Sequence, residues 1–250
     1  MSVCPTDGAG WQDCEILKWD SEFFGFPVAR ITCPVLSHRP LSRILRALAQ
    51  TGAKLIYWPT SSAIEQRDPV LQSHNGRLVD VKTTYAIDLS RDVITEAGAT
   101  FGIRSYGIDA ASPDLISLAI QAGEHSRFAV DPLIPRNKFE ELYTIWIKKS
   151  VDKTLADDVL VAASGGAITG MITVGRKGSR GDIGLVAVDR EWRGRKLGEA
   201  LVRAALRWFA RNNLERVQVV TQGSNAGANR LYAKCGFSIE KQEYYYHFWP

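Results

Sequence analysis

The stretch Ile183-Gly184-Leu185-Val186-Ala187-Val188-Asp189-Arg190-Glu191-Trp192-Arg193-Gly194-Arg195-Lys196-Leu197-Gly198 decides how this chain folds. Ile183–Val188 reads as a strand. Beyond it the spacing predicts a helix over Gly194–Asn212, with Leu197, Leu201, Ala204, Ala205 and Trp208 on one face. A strand that feeds a helix through glycines makes an anion trap, because the unpaired N–H groups of the first turn converge and the macrodipole adds about half a positive charge. Arg193, Arg195 and Lys196 add full charges, while Gly194 and Gly198 lack side chains that would keep a diphosphate or a neighbouring helix at a distance. A solvated helix start reads equally well from the loop alone. The stretch is neither a Walker P-loop nor a dinucleotide fingerprint, so a different phosphate carrier is required.

Outward toward the C-terminus, Val217–Thr221 is a strand reached by a crossover, hence a parallel neighbour of the first. Asn225–Lys234 predicts a second helix ended by Gly236, and Phe237–Trp249 a final aromatic strand. Toward the N-terminus, Val159–Ala163 and Ala167–Val174 flank Ser-Gly-Gly as a hairpin, completing a meander with Ile183–Val188. Phe139–Ile147 carries one apolar helical stripe, and Pro113–Ala122 predicts a helix capped by Ser112. Phe101–Tyr106 is a strand, and Ser90–Thr100 a linker.

Before the linker, Ile16–Thr32 reads as two strands joined by the aromatic turn Phe23-Phe24-Gly25-Phe26-Pro27. Leu41–Gln50 is a helix stopped by Gly52, and Lys54–Trp58 and Leu78–Leu89 are strands. The order is mixed α/β. It predicts an α/β domain over residues 1–95 that contributes to a substrate cleft, and a second domain over residues 101–250. The run of strand, Gly76 and long strand in the first half echoes strand, helix, Gly236 and long strand in the second, as a degenerate copy would.

Composition narrows the classes. The chain has 250 residues, 45% hydrophobic and 23% charged, which excludes a disordered or fibrous protein. The net charge of +4 hides an asymmetry, since Arg176–Arg216 holds 11 Lys/Arg against 5 Asp/Glu. A nucleic-acid binder would spread basic and aromatic residues over a wider surface, so a small polyphosphate ligand fits better. Neither a secretory leader at Met1–Gly10 nor a membrane span in Val159–Gly175 is recognisable, which predicts a cytoplasmic protein without a membrane partner. Cys4, Cys14, Cys33 and Cys235 lack metal-ligand or disulfide spacing, and Cys235 reads as packing, so no metal is expected.

Arg193 and Gly198 match the ends of a loop written Gln or Arg, two residues, Gly, one residue, Gly or Ala; Asn225, Ala228, Leu231, Tyr232, Gly236 and Phe237 match a second signature. In both, the sequence resembles the GNAT superfamily of N-acetyltransferases. Lys196 stands at the family's central loop glycine, a departure whose added charge offsets a less open backbone. Across the whole length, Trp19–Gly25, Ser126-Arg127-Phe128, Asp131-Pro132 and the Tyr-rich ending resemble the nucleotide amino-sugar acetyltransferases of that superfamily.

The resemblance implies a GNAT fold and acetyl-CoA as cosubstrate. It implies that Val186, Ala187 and Val188 meet the pantetheine arm and thioester carbonyl, and that Arg193, Gly194, Arg195, Lys196, Leu197 and Gly198 meet the diphosphate. Asn225 would contact the CoA arm, and Tyr232 would be the general acid. A phenol near pKa 10 facing a thiol near 8.5 is mismatched by about 1.5 units, so hydrogen bonding to the thiolate matters more than full transfer. The acceptor implied is a dTDP-linked 4-amino-4,6-dideoxy sugar used for bacterial surface polysaccharide. His125, Arg127, Asp131 and Phe24 are its candidate contacts, with Arg127 suited to phosphate. No side chain stands out as general base, and a water chain fills that role. A protein N-terminus or a polyamine as acceptor, a CoA-binding module without catalysis, and pairing into a homodimer stay open.

Overall fold

The structure is a computed structural model that describes residues 13–65, 67–89 and 101–250. The readings for Met1–Gly10 and Ser90–Thr100 lie outside the described residues. The chain divides into two compact units: one runs as far as Lys82 and adds Gln242–Pro250, and the other is Thr83–Lys241.

The first unit contains β1 (Cys14–Ile16), α1 (Lys18–Phe24), β2 (Val28–Ile31), α2 (His38–Gln50), β3 (Leu55–Thr60) and α3 (Pro69–Ser73). The start of β4 (Arg77–Asp88) and the end of β10 (Ser238–Phe248) also belong to it. β1 is antiparallel to β2, β2 is parallel to β3, and β10 lies antiparallel to β3 with Trp58 opposite Tyr246. Leu41, Ile44, Leu45 and Leu48 are buried along α2, where they meet Ile56, Trp58, Tyr246 and Phe248. The expected aromatic turn is a helix instead. Ser21 Oγ donates to Leu17 O at 2.7 Å, Trp19 stacks on Phe23 one turn later at 5.2 Å, and Gly25 ends the helix in the left-handed region at φ 78°.

The second unit orders its strands β4, β9 (Arg216–Gln222), β8 (Arg180–Val188), β7 (Ala167–Lys177), β6 (Asp158–Ser164), β5 (Arg104–Ser105). β8 and β9 are parallel and joined by α7 (Leu197–Arg211), while β5 through β8 form an antiparallel meander. The other helices are α4 (Pro113–Ala122), α5 (Arg127–Val130), α6 (Arg136–Val151) and α8 (Ala226–Lys234). Ser112 Oγ accepts from Leu115 N–H, the expected cap of α4. Leu201, Val202, Ala205, Leu206 and Phe209 of α7 are fully buried against Ile172, Val174, Val217 and Val219. The expected strand over Phe101–Tyr106 shrinks to two residues, with Tyr106 N–H still bonded to Val159 O at 2.8 Å.

Candidate active site

β8 carries one residue more than β7 between the pairs Val174–Ile183 and Ile172–Val186, so it bulges at Gly184 and Leu185. Thr173 Oγ1 fixes the bulge by accepting from Leu185 N–H at 2.8 Å. Glycine is needed there, since a Cβ on residue 184 would lie 2.6 Å from that oxygen. On its other side β8 pairs with β9 only through Gly181, Asp182 and Ile183. Past the bulge the two strands separate. Asp189 N–H bonds to Thr169 O, so alternation aims the backbone groups of Val186 and Val188 away from β7, toward the opening.

The chain leaves β8 through a 3-10 turn at Arg190–Trp192, capped by Asp189. The helix expected from Gly194 starts at Leu197, because Gly194 and Lys196 are both left-handed, at φ 78° and 65°. The amides of Gly194, Arg195, Lys196, Leu197 and Gly198 donate to no described group, so the anion trap has its donors in place. Residues 193–196 are exposed. Arg193 is partly committed elsewhere, its Nε donating to Val188 O at 3.1 Å, and the Arg195 guanidinium lies 4.6 Å from the Trp192 ring. Gly198 serves packing: a Cβ would meet Leu231 at 3.3 Å and Val188 at 3.7 Å.

Asn225 caps α8, its Oδ1 accepting from Ala228 N–H at 3.1 Å. Asn229, one turn on, donates through Nδ2 to the carbonyls of Gln222, Gly223 and Asn225 and accepts from Tyr85 Oη at 3.1 Å. Tyr232 is 4% exposed, its ring 5.8 Å from Tyr85 and 5.9 Å from Phe237. Its hydroxyl makes no hydrogen bond to a described residue, and burial, helped by Cys235, pushes the phenol far above its ordinary value. Burial likewise pushes the Cys235 thiol up to about 11, in keeping with a packing role.

α4 ends beside the loop. Gln121 Nε2 donates to Asp189 Oδ2 at 3.3 Å, and Glu124 pairs with Arg190. His125, next in sequence, is exposed. Arg127 lies with its guanidinium 4.5 Å from the Phe128 ring, and Asp131, 1% exposed, accepts from Leu133 N–H at 3.0 Å. Phe24 belongs to the first unit, between Phe23 and Phe26 in an aromatic row. The structure thus brings Val188, Arg193, Gly198 and the helix bearing Tyr232 together. Sequence reading missed Thr173, Tyr85, Asn229 and Gln121. A lone glycine inside a strand, Gly184, was the one available signal of the bulge. Among the described residues no cluster of His, Cys, Asp and Glu could hold a metal ion, and no helix is long and apolar enough to cross a membrane.

Parallel strands that part at a bulge, a loop of amides that donate to no described group and a capped helix beyond them all fall within residues 128–237, which match the family described as Acetyltransferase (GNAT) family. Acetyl transfer is the chemistry for which that family is named. The chain is 27% identical over 237 residues to the dTDP-fucosamine acetyltransferase of Escherichia coli O6:H1, covering 92% of this chain and 96% of the relative. It is 26% identical over 136 residues to the spore coat polysaccharide biosynthesis protein SpsD of Bacillus subtilis, covering 54% of this chain and about half, 47%, of that one. Among solved structures, a GCN5-related N-acetyltransferase from Sphaerobacter thermophilus shares the fold with a TM-score of 0.58 at 18% identity, over 94% of this chain and 75% of that one.

Proposed function

We propose that the protein transfers acetyl from acetyl-CoA to the 4-amino group of a dTDP-linked 4-amino-4,6-dideoxy sugar. The observation that carries the acyl-donor half is the opening between β8 and β9 together with the undonated amides of 194–198. The acceptor half is supported by similarity to dTDP-fucosamine acetyltransferase over nearly the full length of both chains.

In this reading the edge of Val186 and Val188 pairs with the pantetheine arm and polarises the thioester carbonyl, a task for backbone groups only. The amides of 194–198 and the charges of Arg195 and Lys196 hold the diphosphate, and Asn225, whose Nδ2 is left over from capping, meets the arm. The neutral sugar amine attacks the thioester carbon, the C–S bond breaks, and the amine's surplus proton ends on the sulfur. Tyr232 donates a hydrogen bond to the departing thiolate. Its raised pKa makes full proton release less favourable still, so stabilisation of the developing charge is its main contribution. Water relays the amine's surplus proton toward the sulfur. His125 and Arg127 are assigned to the nucleotide, a reading supported by their following the helix that braces the loop.

The test is release of CoA thiol from acetyl-CoA on addition of dTDP-4-amino-4,6-dideoxygalactose. Turnover that depends on both substrates is expected. Turnover with polyamines or N-terminal peptides but not with the sugar nucleotide would move the acceptor to the other class, and tight acetyl-CoA binding without turnover on any amine would leave a binding module.

A further inference from the structure

Four of the 11 cations of Arg176–Arg216 pair with carboxylates in the folded unit. Arg180 pairs with Glu240 at 2.7 Å, Arg216 with Asp88 and Glu240 at 2.6 and 2.9 Å, Arg203 with Glu199 at 3.0 Å, and Arg190 with Glu124. Besides Arg176 and Lys177 at the end of β7, two groups of these cations remain without a carboxylate partner among the described residues. One is the loop at 193–196, already assigned. The other is Arg207 and Arg211 on α7, joined by Arg104 from β5.

Arg207 and Arg211 follow Ala204 and Trp208 at helical spacing, so all four fall on one stripe of α7. With Arg104, Ile103 and Leu160 they line a pocket of about 270 Å³. Leu160 is buried, and Ile103, Ala204 and Trp208 are half-buried, which gives the pocket an apolar floor with an indole in it. The one acid in the lining, Asp158, has its Oδ1 occupied by Ser105 Oγ at 2.6 Å and Val159 N–H at 2.8 Å. Three arginines thus line one small pocket without an ion partner, Arg104 Nη1 donating only to Ser105 O at 3.3 Å. Guanidinium groups pair bidentately with phosphate oxygens, and an indole face takes a flat ring.

We infer that this pocket is a second anion site, separate from the acetyl-CoA loop, that takes a nucleoside monophosphate: phosphate on Arg104, Arg207 and Arg211, base against Trp208. The inference does not depend on the proposed acceptor, nor on acetyl-CoA binding.

The experiment is calorimetric titration of the full chain with AMP, with inorganic phosphate, and with AMP in the presence of saturating CoA. The double variant Arg207→Gln, Arg211→Gln is titrated alongside, with circular dichroism to show that it is folded. AMP is expected to bind one-to-one with a Kd of about 1 mM or tighter whether or not CoA is present. The double variant is expected to lose at least tenfold in AMP affinity and to keep its affinity for CoA. Phosphate is expected to bind more weakly than AMP, since it lacks the ring. The assignment is overturned by the absence of AMP binding, by AMP binding that CoA displaces, or by AMP binding that the double variant retains. Phosphate binding as tightly as AMP would overturn the nucleoside part. A double variant that does not fold is replaced by Arg207→Lys alone, for which a loss of at least threefold supports the site and an unchanged affinity overturns it.

Discussion

Lys196 shows how much a single residue can carry. Its backbone sits at φ 65°, a region that disfavours a side chain by about 1–2 kcal/mol, at the loop position where the matched signature has glycine. Lys196→Gly is therefore expected to raise the melting temperature by about 2–4 °C and to weaken acetyl-CoA binding several-fold. Lys153, also at φ 65° but in the turn after α6, is the control: Lys153→Gly should stabilise equally and leave acetyl-CoA affinity unchanged. Thermal melts and calorimetry read both, and equal effects on affinity would remove Lys196 from the diphosphate. Tyr232→Phe removes only a hydroxyl, so turnover should fall about a hundredfold with acetyl-CoA affinity kept. Because burial raises the phenol's pKa, Tyr232 keeps its proton through pH 10, and turnover should show no alkaline decline below that value. A decline near pH 8 that vanishes in Tyr232→Phe would contradict this.

At the scale of elements, the bulge in β8 holds the opening. Gly184→Val would drive a side chain into Thr173 Oγ1 and disturb the bond to Leu185 N–H. A stability loss of about 1–3 kcal/mol and at least a tenfold loss of acetyl-CoA affinity are expected, read by denaturant titration and calorimetry. α8 packs Cys235 inward, and its thiol is raised from 9.0 to about 11. A group whose folded pKa is raised contributes stability in full below its unfolded value and loses it as pH climbs through the folded one. Wild-type stability should therefore fall between pH 9 and pH 11 more steeply than that of Cys235→Ala, as urea unfolding across that range would show.

Elements with strong periodicity were legible: α2, α4, α6, the meander and the β8–α7–β9 crossover stand close to where the residues place them. The failures have local causes. α1 is short and all aromatic on one side, so its sequence reads as well for a turn until the Ser21 and Gly25 bonds are seen. α7 starts later than its spacing predicts because nothing in the letters of Lys196 announces a left-handed residue.

The molecule as a whole shares two strands between its units, β4 beginning in the first and ending in the second, and β10 doing the reverse. Partners 144 residues apart in sequence, such as Tyr85 and Asn229, leave no trace in local pattern, which is why that part of the site was not legible. A fragment of residues 101–250 lacks Tyr85 and Ile87, both buried in the core of the second unit. It should be insoluble or molten by circular dichroism, and a cooperatively melting fragment would show that β4 is dispensable. Every functional step rests on the parting of β8 from β9. A crystal structure with acetyl-CoA tests that directly: the diphosphate is expected on the amides of 194–198, with the pantetheine arm along Val186 and Val188. Acetyl-CoA bound elsewhere, with those amides unengaged, would contradict it.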